Sequence, residues 1–127
     1  MKTLILAIVL LLSIIVVTVS GALYTDKKLE EFSQKIERSI PKESSDTVNI
    51  HKGALQIEKE YDSLKKCLIL FIPDSGVNEI EEHIEDIKSA SASGELVDAM
   101  MSKSRLILHI QQLRRLSKFS TEVIFKF

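Results

Sequence analysis

The sequence predicts an all-α protein: an N-terminal transmembrane helix followed by a small antiparallel helical bundle of three to four helices. Three observations predict it. No residue between Thr3 and Thr25 is charged. Beyond Tyr24, apolar residues recur at steps of three and four, the helical period. Proline- and glycine-containing turns separate the periodic runs. The domain reading is residues 1–24 as a membrane anchor (or signal peptide) and 25–127 as an extracytoplasmic helical domain.

The uncharged run would span roughly 34 Å as a helix, enough for a hydrocarbon core of about 30 Å. Lys2 and the N-terminal amine form a minimal positive flank. Two readings stay open. A cleaved signal peptide would use the small residues Ser20-Gly21-Ala22 as its processing site and release a secreted helical protein. An uncleaved anchor needs the longer apolar run that continues through Leu23 to Tyr24, and run length favours it. The short basic N-terminus points the following domain outward, although Lys27, Lys28, Lys35 and Arg38 pull the other way.

The first segment beyond the anchor is Asp26 to Ile40, with Leu29, Phe32, Ile36 and Ile40 on one face, Thr25 as its cap and Pro41 as its stop. Residues 41–45 read as a loop. The second segment runs from Asp46 to about Phe71, capped by Ser45 or Asp46. Ile50, Ala54, Ile57, Tyr61, Leu64, Leu68 and Phe71 alternate at four and three, a coiled-coil-like seam that could pair with a second copy or a partner. Gly53 costs this helix about 1 kcal/mol and marks a close helix crossing. Cys67 to Ile72 is apolar on all sides, which predicts that other elements cover it.

Pro73-Asp-Ser-Gly76 is the clearest turn. The third segment carries Val77, Ile80, Ile84 and Ile87, with Asp74 or Ser75 as cap, and fades into a small-residue linker at 89–94. The fourth runs from Glu95 to about Lys118, with Ser93 as cap and a stripe of Leu96, Met100, Ile107, Ile110, Leu113 and Leu116, Leu106 beside it. The tail from Ser120 reads as a short strand or an extended peptide. Stripes on successive helices joined by short turns imply an antiparallel bundle.

Composition narrows the function. The 127 residues hold 17 Lys and Arg against 18 Asp and Glu, a net charge of −1, which excludes a broadly basic nucleic-acid binder. The single cysteine, Cys67, excludes an intrachain disulfide and reads as a packed small hydrophobe, an interchain bridge being the alternative. No nucleophile elbow or glycine-rich phosphate loop occurs, and no enzyme is expected. No catalytic, cofactor-binding or metal-ligating residue is assigned.

Two charge runs could form sites. Glu79, Glu81, Glu82, Glu85 and Asp86 could attract a cation; Lys103, Arg105, Arg114, Arg115 and Lys118 could meet phosphate or lipid headgroups. The simpler reading pairs the two runs across a hairpin of the third and fourth helices. His83 shares a helical side with Glu79 and Asp86, but His51 and His109 lie far off in sequence, so it reads as a solvated surface histidine.

An apolar anchor, the stretch Glu58-Lys-Glu-Tyr61-Asp-Ser-Leu-Lys65, the Ile/Glu-rich Val77 to Ile87 and a leucine-rich last helix ending near Ile124-Phe125 make a layout. It resembles the short membrane-anchored proteins of spore-forming Firmicutes grouped as domain of unknown function 4363. That family typically has Trp where Tyr61 stands, and Lys126 and Phe127 extend past its Ile-Phe ending. The resemblance implies an anchor and a helical domain and carries over no catalytic residue. The functional expectation is a single-pass accessory or adaptor protein. Its partners would be the lipid bilayer through the first helix, and a membrane protein or a homo-oligomer through helix packing. A ligand- or cation-sensing bundle is the alternative.

Overall fold

Helical periodicity is realised as four α-helices in a computed structural model that describes residues 1–42 and 46–126, with side chains described to Lys118. They are α1 (Lys2–Ser39), α2 (Thr47–Leu68), α3 (Asp74–Ala92) and α4 (Leu96–Lys126). Each helix packs on its sequence neighbours and α4 closes back on α1, leaving α2 and α4 on one diagonal and α1 and α3 on the other. Successive helices run antiparallel, so the bundle is up-down-up-down.

The bundle uses only the second half of α1. The anchor and the first predicted segment are one uninterrupted helix of 38 residues. Thr25, expected to cap a new helix, sits in its middle, buried, with an unbonded Oγ1. Nothing between Leu23 and Lys28 opposes helix: no Gly, no Pro, and a hydrogen-bonding ladder already propagating, which costs less to extend than to restart. The helix ends at Ser39, before Pro41, as proline sterics require.

The core is built from the predicted stripes. Leu29, Ile36 and Ile40 of α1 and its flank, Ile50 and Ile57 of α2, Ile80 and Ile87 of α3, and Leu106 and Ile110 of α4 are at most 1% exposed. The second-segment seam lies inside this core from Ile50 to Leu68, with Leu64 half-buried at its edge, rather than on a free face, since α2 is flanked by both α1 and α3. On α4 the buried arc is offset from the predicted stripe. Small and polar residues fill part of it (Ala99, Ser102, Lys103 and His109), while Leu116 is 62% exposed. A count restricted to large apolar residues cannot see such an arc.

Helix ends follow local chemistry. The Asp46 side chain accepts from the Val48 N–H at 2.9 Å and caps α2; Ser45, the other candidate, lies outside the described residues. α3 starts at Asp74 behind Pro73 without a side-chain cap bond, so neither Asp74 nor Ser75 caps it. Of the expected linker 89–94, residues 89–92 are instead the last turn of α3. Ser91 is buried and its Oγ donates to the Ile87 carbonyl at 2.7 Å, while Gly94 at φ 75 stops the helix. The Glu95 N–H reaches the Ala90 carbonyl and the Gly94 N–H the Ser91 carbonyl, a Schellman ending. Ser93 is therefore the C-cap of α3 rather than the N-cap of α4. The tail, expected as strand or extended peptide, continues α4 as helix to Lys126.

Candidate functional site at the apolar end of the bundle

The ion pairs show where the two charge runs went. The basic run of α4 meets α1, not α3. Lys103 Nζ lies 3.1 Å from Glu37 Oε2, and Arg114 lies 2.9 Å from Asp26 Oδ1 and 3.6 Å from Glu30 Oε2. The acidic run of α3 meets α2 through Glu81 and Lys65. Next to it, Lys88 joins Glu58 at 2.6 Å and Glu85 at 3.2 Å. The hairpin pairing expected between the runs is thus replaced by pairing across the other two interfaces, because α3 and α4 each have a second neighbour. Glu82, Asp86, Arg105, Arg115 and Lys118 are exposed. The Glu58 carboxylate first, and then Glu85, raises the Lys88 ammonium above the ordinary lysine value; Glu81 raises Lys65 in the same way.

Between α3 and α4 lies a histidine pair. The ring of His83 is 5.9 Å from that of His109. His83 is half-buried with an unbonded, solvent-shielded Nδ1, not a solvated surface side chain, because α4 packs over that side of α3. His109 is buried, with Nε2 3.0 Å from the Gly76 carbonyl oxygen and Nδ1 3.0 Å from Glu79 Oε2. Both ring nitrogens face oxygen acceptors, on the α3 backbone and on the Glu79 side chain. Among the described residues no three His, Cys, Asp or Glu side chains come together to hold a metal.

The end of the bundle nearest the apolar half of α1 is different in kind. The α2–α3 turn packs there, with the Phe71 ring against the bare Cα of Gly21. Leu68 and Ile72 turn inward and are buried, as expected for this apolar stretch. Ile69, Leu70 and Phe71 are instead 50%, 74% and 45% exposed. Beyond the contact of Phe71 with Gly21, no element covers them among the described residues: the stretch is a turn before Pro73, not a helix interior. A cleft of about 570 Å³ opens beside the turn, lined by Val17, Ala22, Thr25, Leu70, Phe71 and Leu113. One turn further along α1, the Tyr24 hydroxyl lies 3.8 Å from the half-buried Cys67 Sγ.

What this end offers is apolar contact. The missed signal was present in the sequence: an all-round apolar run that abuts a turn has no helix face to hide it. Comparison with protein-family models, with curated proteins and with solved structures finds no match.

Proposed function

We propose that this chain is a single-pass membrane protein whose four-helix bundle stands on the outer face of the bilayer and serves as an accessory or adaptor module. The observation that carries this reading is α1. Its first half has a mean hydropathy of 2.9 over the apolar window and is almost wholly exposed, and the same helix then forms one wall of the bundle. Exposed Leu10, Leu11, Val16 and Val17 have no reason to stay in water. Two hydroxyls in the run suit lipid, since Ser13 Oγ donates to the Val9 carbonyl and Thr18 Oγ1 to the Ile14 carbonyl, each at 2.8 Å.

An uncleaved anchor is favoured over a cleaved leader. The processing candidate Ser20-Gly21-Ala22 is helical, and Gly21 is buried under Phe71. Lys2 before the run supports an outward bundle.

Because the α2 seam is buried, the adaptor face is sought elsewhere. Val97, Met101 and Leu108 share one face of α4 and are 70%, 48% and 52% exposed. A helix-packing partner, whether a membrane protein or a second copy, would use that face. The test is a photo-crosslinking residue at Met101 in membranes that resist alkaline extraction. A discrete adduct with one protein or with a second copy is expected; extraction of the chain by carbonate, or no adduct, overturns the proposal.

A further inference from the structure

The geometry points to a second membrane contact: the α2–α3 turn, Ile69-Leu70-Phe71, sits in the bilayer interface beside the span and holds the bundle down against the lipid. This rests on the reading of α1 as a membrane span, and it names lipid as the occupant of that apolar turn.

The argument starts from level along α1. Phe71 lies on Gly21, and Leu70 and Phe71 share a cleft with Val17. Val17 is about 12 Å, two helical turns, inside the uncharged run when measured back from Thr25. Wherever that run meets hydrocarbon, the turn is carried to the boundary of the same leaflet. The exposed apolar patch is therefore continuous with the surface that the span presents to lipid.

The backbone of the turn suits such a place. Interface burial is costly for any unpaired N–H. Here the Ile69 N–H donates to the Lys65 carbonyl, Leu70 to Cys67, and Phe71 and Ile72 to Leu68, at 2.8–3.3 Å. Pro73 has no N–H to satisfy. The turn can thus leave water without stranding a donor.

Charge fixes the depth. Lys27 and Lys66 are exposed about one to two turns beyond the level of the turn, Asp74 follows Pro73 directly, and on α4 the exposed Arg115 and Lys118 flank Leu116 and Ser117, which line the same cleft, so charge stands at headgroup height around the turn itself. Insertion is then shallow, reaching the headgroup–acyl boundary, as an interfacial element does.

The chain has no tryptophan, so single-tryptophan variants report position without background. The full chain is reconstituted as Leu12→Trp, Leu70→Trp and Val48→Trp. The vesicles are phosphatidylcholine and phosphatidylglycerol in which the phosphatidylcholine is brominated on the upper acyl chain. Circular dichroism checks that each variant keeps its helix content. Emission from Leu12→Trp reports the span itself, and Val48→Trp reports the far end of the bundle. The expected result is bromine quenching and a blue shift for Leu12→Trp and Leu70→Trp, with neither for Val48→Trp. Quenching of Leu12→Trp without quenching of Leu70→Trp overturns the second contact and leaves the span intact. A blue-shifted but unquenched Leu70→Trp overturns it in favour of a protein cover such as a second copy. Unquenched Leu12→Trp overturns the span and this inference with it.

Discussion

The backbone carbonyl of Ser39 rests against the bare Cα of Gly53, so that α1 and α2 cross at a point where no side chain fits. A Cβ on Gly53 would overlap that carbonyl oxygen and press Ile40 Cγ1 at 3.0 Å. In an isolated helix, Gly→Ala gains about 1 kcal/mol. At this crossing the sign reverses, because a backbone atom cannot swing aside as a long side chain can. Gly53→Ala is expected to destabilise the chain by about 1–3 kcal/mol, measured by denaturant unfolding in detergent micelles.

Lys103 and Glu37 make an unequal pair. The lysine side chain is 3% exposed and the glutamate side chain 41%. Removing the acid strands a buried ammonium, whereas removing the lysine returns the acid to water. Glu37→Gln should cost about 1–3 kcal/mol, and Lys103→Met should be near neutral within about 1 kcal/mol. Equal losses in the two variants would show that the pair acts as an ordinary surface bridge.

Tyr61 is 1% exposed, its ring centroid 5.8 Å from that of Phe32, and its hydroxyl donates to the Val77 carbonyl at 3.0 Å. Burial pushes the phenol well above its ordinary value, so it remains a donor throughout the range in which the bundle is folded. Tyr61→Phe keeps the ring and removes one bond between α2 and α3. The expected loss is about 1 kcal/mol, read as a lower unfolding midpoint without change of slope.

Alkali should loosen the α2–α3 interface first. Lys65 and Lys88 are both raised by carboxylates across it, from the ordinary 10.5. A raised value means that the folded chain holds the proton more tightly than the unfolded chain. That stability is fully present below 10.5 and is lost as pH rises through the raised values. Thermal midpoints should therefore fall above that pH, and Lys88→Met should flatten the fall.

The helices and their core faces were legible because large apolar residues at three–four spacing carry that information directly. Ile50, Ile57, Ile80 and Ile87 needed nothing more. Junctions were less legible. The continuity of α1 through Thr25 was missed because a threonine before an aspartate reads as a cap, while the cheaper course is to extend an existing helix. Ser89 to Ala92 read as linker because the serines and Gly94 have weak preference, yet the alanines between them are strong helix formers, and Ala90 and Ser91 are buried against the bundle, so the helix runs on to Ala92. The charge runs were visible but their partners were not, since Lys103 and Arg114 meet acids more than sixty residues away on α1. Such pairing depends on which helices become neighbours, a property of the assembled bundle.

The uninterrupted α1 has a mechanical consequence. Ser39 lies about 22 Å beyond Tyr24 along the helix. With no break between the apolar and core-facing halves, an α1 that crosses a bilayer tilted by about 20° would swing that far end sideways by about 8 Å. Bilayer thickness would then set the height and heading of the bundle's outer tip, and the tip would act as the pointer of a gauge whose pivot is the membrane.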